Sequence, residues 1–308
     1  MTGPLKERAL TDLMIGWTRR TPDIAADWLV DSGLTSQPLI NAVARTWAEQ
    51  DPRRAAAWAD LLPAGVPQQT AEVAVASEWA TQDASAAAEY FTEAASREEG
   101  INLAIALTDV WATTDPAATA AWIAGLAVSA SRDQSAAALA TIWAATDIEA
   151  AVAWGTGLSD AAMRQQVIAH LGTTWGAIEP FAAIDWLTSL SAKEAADGLT
   201  GAFYSWAGTA PEQLQEWIAT EPPVGLGDRA RLSLGDVLTA SDVPTAMDLA
   251  LGMNSAGARD EALGRFFREW RKSDDASAQD WLDVHWASLP VSARERLVQE
   301  QARAVPLR

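Results

Sequence analysis

Acidic side chains recur along the chain at a nearly constant step, an arrangement that could supply carboxylate oxygens to a metal ion. The members of this series are Asp51, Asp83, Asp115, Asp147, Glu179, Asp242 and Asp274. A shared calcium ion needs oxygen ligands within about 2.3–2.6 Å, whereas these carboxylates stand one repeat apart. The competing interpretation is helix capping, because an Asp side chain accepts hydrogen bonds from the free N–H groups at a helix start. In five repeats a proline, which suits the first helical position, stands directly after the capping place: Pro22, Pro52, Pro116, Pro180 and Pro211. We therefore interpret the acidic series as helix caps and predict no metal site.

The two histidines, His170 and His285, are the other side chains with metal-binding or acid–base chemistry. They lie far apart in the sequence, so a two-histidine metal site is not expected. The sequence also has no His-Glu-x-x-His pair, phosphate-binding glycine loop or serine nucleophile elbow, and Cys is absent. These observations predict a protein that is not an enzyme and that binds no cofactor.

Tryptophan is the most unusual feature of the composition, with sixteen Trp beside two Tyr and five Phe. Exposed indoles could stack on the bases of single-stranded nucleic acid or on sugar rings. Against this, the formal net charge is −19, and such a charge repels nucleic-acid phosphates and anionic membrane surfaces. Small residues flank many of the tryptophans, so we interpret them as core and predict no nucleic-acid or membrane partner. Trp286 lies outside the regular spacing and is the expected exposed exception.

The other tryptophans fall on a repeating lattice with two positions per repeat. The first position, the anchor, recurs every 30 to 32 residues, with Leu238 in the one repeat that lacks a Trp there: Trp17, Trp47, Trp79, Trp111, Trp143, Trp175, Trp206 and Trp270. The second position follows each anchor after eleven residues: Trp28, Trp58, Tyr90, Trp122, Trp154, Trp186, Trp217, Leu249 and Trp281. A fixed period of this length is typical of stacked structural repeats.

The columns around the anchor predict two helices in each repeat. Four residues before the anchor stands a mostly aliphatic column: Leu13, Val43, Val75, Leu107, Leu139, Leu171, Ala202, Leu234 and Phe266. The column beside it is mostly small and would let a neighbouring helix approach closely: Ala44, Ala76, Ala140, Gly172 and Gly235. Apolar residues at intervals of four define one face of a helix, named helix A. A second helix, named helix B, begins at the capping residue and carries the second lattice position.

Stacked hairpins bury apolar faces that a single hairpin cannot bury alone, and we expect the tryptophans to span successive hairpins. Loss of one anchor, as in Trp143→Ala, is expected to cost about 3–5 kcal/mol. The fold class that follows is all-α. We predict an α-solenoid of nine helical-hairpin repeats of about 32 residues, forming one domain over residues 1–308.

The last predicted element is a C-terminal capping helix at 291–304. Val298 is expected to hold its aliphatic column, and Ala302 takes the place of the anchor. Charged residues such as Glu295 and Glu300 are expected on the outer face, where a terminal cap meets water.

The segment from anchor to second position is clearest in one stretch, Trp111-Ala112-Thr113-Thr114-Asp115-Pro116 through Ala121-Trp122. It resembles the tryptophan-rich helical repeats of bacterial proteins, which are similar in style to tetratricopeptide repeats. The resemblance covers nearly the whole chain, although the turn between helices A and B is short and the period differs from about 34 residues in the tetratricopeptide consensus. It implies an α-solenoid that binds other proteins, and it carries no functional residue over to this sequence.

Charge is unevenly distributed along the chain. Residues 100–190 carry eight Asp or Glu beside two cations, Arg132 and Arg164, whereas nine cations lie from Arg259 to Arg308. This asymmetry could recruit a basic partner or let copies meet end to end. The simpler alternative is a solvated surface that keeps an Ala-rich solenoid in solution.

The function favoured by these patterns is a non-enzymatic scaffold that binds a protein or peptide along the concave solenoid face, and a basic partner is one open alternative. If helix A is the inner helix, residues two places before their anchors would line that face, and the sequence does not decide between A and B. The partner-binding candidates are these residues and the exposed tryptophan: Asp109, Thr141, Thr173 and Trp286. The alternative function is a structural protein that self-associates into a filament or layer.

The sequence also bears on location. No stretch approaches the about 18 uncharged apolar residues of a transmembrane helix. The first seventeen residues, which include Lys6, Glu7 and Arg8, show no signal peptide. We therefore expect a cytoplasmic protein, and a secreted or periplasmic one stays open if a leader has been removed.

Overall fold

The computed structural model describes residues 3–303 and leaves out the side chains at positions 3, 4, 98 and 303. Within that range the chain is all-α, as predicted, and has no strand. It divides into two compact units, Met1–Trp154 and Gly155–Arg308. The single domain over residues 1–308 remains a prediction.

Helices follow one another closely along both units. The first unit contains α1 Gly3–Thr18, α2 Pro22–Asp31, α3 Gln37–Ala48, α4 Pro52–Ala59, α5 Val66–Ala95, a 3-10 turn at Glu98–Gly100, α6 Ile101–Trp111, α7 Pro116–Gly125 and α8 Ala130–Thr146. Next comes α9 Ile148–Gly157, and the second unit contains α10 Ala161–Ile178, α11 Pro180–Ser189, α12 Ala192–Thr209, α13 Pro211–Ala219, α14 Val224–Leu238, α15 Val243–Leu251, α16 Ala256–Ser273, α17 Asp275–His285 and α18 Val291–Arg303. Five of the short helices begin with the predicted prolines, because the first helical position needs no N–H donor.

A long helix and the short helix that follows it are separated by one to four residues, and the last of these residues directly precedes the short helix. At one such junction the Asp115 N–H donates to the Trp111 carbonyl at 2.9 Å, and the Asp115 side chain accepts from the Ala118 N–H at 2.9 Å. The same backbone conformation, with φ from −154° to −134° and ψ from 66° to 90°, recurs at Thr21, Asp51, Asp83, Asp115, Asp147, Glu179, Ala210, Asp242 and Asp274. In α5 the junction falls at Asp83, so α5 consists of two helices joined there. We call the two helices at a junction a hairpin, with A before the junction and B after it.

The capping interpretation of the acidic series is confirmed at six junctions. Each of these carboxylates accepts a hydrogen bond from the N–H three residues later, at 2.9 to 3.2 Å: Asp51, Asp83, Asp115, Asp147, Asp242 and Asp274. Thr21 and Glu179 make no such bond. The longer Glu179 side chain instead accepts from the indole N–H of Trp175 at 3.3 Å. The acidic residues of the series therefore cap the following helix where they are Asp, and the longer Glu does not.

The anchor packs against the second aromatic ring of its own hairpin. The ring centroids are 5.5 to 6.2 Å apart, with tilted planes, in the pairs 17/28, 47/58, 79/90, 111/122, 143/154, 175/186 and 206/217. The expected span between hairpins is seen at Trp206, whose ring centroid lies 5.0 Å from that of Phe181 in the preceding hairpin, and polar tips add to it elsewhere. The Tyr90 hydroxyl donates to Asp60 at 2.9 Å, and the Trp122 indole N–H donates to Thr92 at 3.0 Å. Aromatic packing thus closes seven of the hairpins, and ring contacts and hydrogen bonds link several of them to the preceding hairpin.

Successive A helices pack directly on each other within each unit. This series runs through α1, α3, α5, α6 and α8 in the first unit and through α10, α12, α14, α16 and α18 in the second. The aliphatic column is buried along it, as predicted, from Val43 to Phe266. Leu13 is the exception, because Met14 takes the buried place in α1 and Leu13 is left 58% exposed.

A very close approach between two helices involves glycines of α10 and α12. A Cβ placed on Gly172 would lie 2.8 Å from the Cα of Gly198, and one on Gly176 would lie 2.5 Å from the Cα of Ala202. Both distances are shorter than real Cβ contacts, so the two backbones leave no room for a side chain. The prediction that the small column admits a neighbouring helix is confirmed here.

The cap differs from its prediction by one residue. In α18 the buried face consists of Ala293, Leu297 and Glu300, whereas Val298 is 46% exposed. A helix buries a single stripe, and residues at intervals of four and three share it while the next residue lies about 100° away. Glu300 was expected on the outer face, but its carboxylate is buried and lies 2.9 Å from the Arg268 guanidinium. Ala302 is exposed, and position 304 of the predicted cap lies outside the described residues.

We expect Gly172→Ala to destabilise the protein by about 1–3 kcal/mol, because the added methyl group meets the backbone of Gly198. The matched control is Gly208→Ala in α12, where a Cβ meets nothing within 4 Å. That change should stabilise by up to about 1 kcal/mol, through helix propensity. Chemical denaturation gives both free energies, and a stabilising Gly172→Ala would contradict the close approach.

Burial should also rank the anchors. Trp206 is fully buried, whereas Trp143 is half-buried. Trp206→Ala should therefore lower the free energy of unfolding by about 3–5 kcal/mol, the range expected for a lost core aromatic. Trp143→Ala should lower it by less than that range. The free energy of unfolding of the two variants checks this order. Equal losses would show that burial does not set the contribution of an anchor.

Candidate functional site

A groove with a volume of about 980 Å³ crosses the A helices of the first unit. Nine of its fifteen lining residues follow the register of the anchors, at ten, six and two residues before them and two after: Gln37, Gln69, Thr11, Asn41, Val73, Ile15, Arg45, Arg19 and Glu49. Steps of four residues lie along one face of a helix. The groove is therefore built from the face of helix A that is turned away from the aliphatic column.

Amide side chains are the chemical signature of this groove. Gln37, Asn41, Gln69 and Asn102 line it from three successive helices, α3, α5 and α6. Their side chains are exposed or half-buried, and among the described residues none of the four makes a side-chain hydrogen bond. An amide offers both a donor and an acceptor. Four such groups in one groove can pair with a ligand that itself alternates donors and acceptors.

The charges of the groove are few and mixed. Arg45 lies 3.6 Å from Glu78, and the guanidinium of Arg19 has no ion-pair partner among the described residues. The first sixty residues carry seven cations and eight acids, whereas the rest of the chain carries fifteen and thirty-three. The acidic excess therefore lies outside this part of the sequence, and the groove itself is close to neutral.

The three candidates chosen by their place before the anchor do not line this groove. Asp109 and Thr141 belong to the first unit and are exposed, at the same register as Ile15 and Arg45. Partial burial raises the pKa of Asp109. The hydroxyls of Thr141 and Thr173 donate to carbonyls of their own helices, at 3.2 and 2.9 Å. Their role in partner binding stays a prediction.

Thr173 and Trp286 lie in the second unit. A Cβ placed on Gly201 would collide with the hydroxyl of Thr173, so this threonine lies against α12. Trp286 is 39% exposed, as predicted, but the lattice residue Trp28 is also 37% exposed, so exposure does not set the off-lattice tryptophan apart. The Arg294 guanidinium lies 5.8 Å from its ring centroid, a distance within the range of a cation–π contact. One face of the exposed indole is thereby covered from within the chain.

The histidines have local roles. The His285 ring stacks on Trp281 with centroids 4.3 Å apart, and its Nδ1 lies 2.8 Å from the Trp281 carbonyl. Desolvation lowers the pKa of His170 on α10. Among the described residues no group of three or more His, Asp or Glu side chains is arranged to hold a metal ion.

Sequence reasoning missed the amides of the groove. The register that led to Asp109 would have reached Asn41 and Gln69 if it had been extended to six and ten residues before the anchor. The amide positions were visible in the sequence, but polar amides on an amphipathic helix are also typical of a face that only meets water. The packing of neighbouring helices is needed to show that these amides line a groove.

No protein-family model, no curated protein and no solved structure matches this chain. Among the described residues, no helix combines the length and apolar character needed to cross a membrane. The resemblance to tryptophan-rich repeats therefore stays a prediction, and the chemistry of the groove is argued from its own side chains.

Tyr90 provides a spectroscopic probe of the packing behind the groove. Burial and its hydrogen bond to Asp60 raise the pKa of Tyr90 to about 12, from an ordinary 10.0. Its contribution to stability should be complete below pH 10 and lost as the pH rises towards 12. Tyrosinate absorbance of a Tyr204→Phe variant isolates this group, with far-UV circular dichroism to verify folding. Asp60→Ala should lower the midpoint, and an ordinary midpoint before that change would contradict the contact.

Proposed function

We propose that the chain is an α-solenoid of nine hairpin repeats, ended by a cap at 291–304, and that it is a non-enzymatic scaffold for an extended segment of another protein. The repeat number is supported by the backbone conformation that recurs at each junction. The predicted cytoplasmic location and the resemblance to tryptophan-rich helical repeats belong to this proposal.

The inner side of the solenoid is assigned to helix A. Successive A helices pack directly on one another, and B helices chiefly contact A helices. Repeats that pack more closely on one side curve towards it, which makes that side concave. Close glycine contacts such as that between Gly172 and Gly198 support the same assignment.

The observation that carries the proposal is the set of unengaged amides along the groove. Packed helices stand about 8–10 Å apart, and an extended chain advances about 6.6 Å in two residues. Amides on successive helices can therefore meet backbone N–H and C=O groups two to three residues apart. Backbone recognition of this kind binds an extended segment while leaving its side chains to set specificity.

Exchange of Gln37 and Gln69 for Leu tests the groove. Peptides selected from a displayed library of unstructured sequences should bind the wild-type chain, and the double variant should bind them about tenfold more weakly or worse. Loss of two hydrogen bonds at about 1 kcal/mol each accounts for that change. Fluorescence anisotropy with a labelled peptide measures the affinity.

The matched control is Gln215→Leu on α13, a B helix, where the same exchange should leave affinity unchanged. Equal weakening by the control, or no effect of the double variant, would contradict a role for the groove. Failure to select any peptide, together with growth of the particle size with concentration, would favour the self-associating alternative.

A further inference from the structure

A core column of helix A contains one buried carboxylate. Seven residues before the anchor most repeats carry an apolar side chain: Leu10, Ile40, Ala104, Ala136, Ile168, Leu199 and Leu263. The two exceptions are Glu72 and Arg231. A charged group in such a column needs a compensating partner, because burial of an unpaired charge is costly.

Arg231 has its compensation within the second unit. Its guanidinium lies 3.9 Å from Asp228. The carboxylate of Asp228 in turn accepts hydrogen bonds from the N–H groups of Asn254 and Ser255, both at 2.8 Å. Through Asp228, the charged residue of this repeat is therefore linked to the loop that precedes α16.

Glu72 has no comparable compensation. Its side chain lies in the first half of α5 and is only 8% exposed. It forms no ion pair among the described residues, and the nearby Gln68 amide and Arg97 guanidinium only partly offset its burial. Burial and the charge of Asp60 raise the pKa of Glu72. A counter-charge from outside the chain would complete this site.

A cavity of about 290 Å³ opens in front of Glu72. Its walls include backbone at Gly65, whose φ of 104° requires glycine, and at Gly100, where a Cβ would collide with the Ala94 carbonyl. Gln69 lines both this cavity and the groove. A segment that lies in the groove can therefore place a side chain in the cavity.

The charges around the cavity favour a cation. Glu72 and Glu99 line it, and Asp60 acts on Glu72 from nearby. The one positive group of the lining, Arg97, has a side chain that is 55% exposed and lies 3.4 Å from Glu93. A buried carboxylate and an excess of acids leave the cavity complementary to a positive group. The alanines at the wall suit the apolar stem of such a side chain.

We propose that this cavity receives a cationic side chain, lysine or arginine, of the segment bound in the groove, with the Glu72 carboxylate as its counter-ion. The proposal rests on the proposed function of the groove, and it names the side chain by which the groove selects its ligand.

Selected peptides should carry Lys or Arg at one fixed place, and exchange of that residue for norleucine should weaken binding to the wild-type chain by about tenfold. In Glu72→Gln this preference should disappear while the norleucine peptide still binds. Glu89→Gln, an exposed carboxylate elsewhere on α5, should keep the preference. Equal affinity of the wild-type chain for both peptides, or a preference that survives Glu72→Gln, overturns the proposal.

A second measurement separates the cavity from the groove. The carboxyl ¹³C resonance of Glu72 is followed during titration with n-butylammonium and with n-butylguanidinium, and comparison of the two distinguishes lysine from arginine. If no peptide binds, the groove function fails, and this titration then decides the cavity alone. A shift of the resonance supports the cation site, and no shift with either probe overturns it.

Discussion

The hydrogen-bonded junction between helix A and helix B is the constraint on which the other features depend. One residue ends the first helix with its N–H and, where it is Asp, caps the second helix with its carboxylate, as Asp115 does. With at most four residues in between, the two helix axes have little freedom. In seven of the hairpins the anchor therefore meets the ring eleven residues later, and Asn41 and Gln69 lie on corresponding faces of successive A helices.

Packing between hairpins is adjusted by pairs of large and small residues. Where α10 meets α12 both partners are small, so the backbones approach until Gly172 reaches Gly198. Where α14 meets α16 the partners differ, because a Cβ placed on Gly235 would lie 2.8 Å from the ring of Phe266. Cores tolerate such exchanges when the total volume is kept. The same fold thus accommodates tight and wide helix contacts along one chain.

Much of the fold could be predicted from the sequence, because capping and periodicity act within one hairpin. The Asp junctions and the small column at Gly172 are examples. The terminal helices were harder, since Leu13 and Val298 lie in helices with a neighbour on one side only, where the buried stripe can rotate by one residue. The groove amides and the cavity at Glu72 depend on which faces of neighbouring helices come to line an open space. That is set by contacts between hairpins, and the sequence of one hairpin does not encode it.

The short junction also decides where the chain can change length. The distance from anchor to second position is eleven residues in every repeat, whereas the distance from one anchor to the next varies between 30 and 32. All of that variation falls outside the segment from anchor to second aromatic position. One residue inserted at the junction would turn helix B by about 100° and separate the paired rings. We therefore expect a change in length to be accommodated best as a whole hairpin, which would make the hairpin the unit to add or remove in engineering.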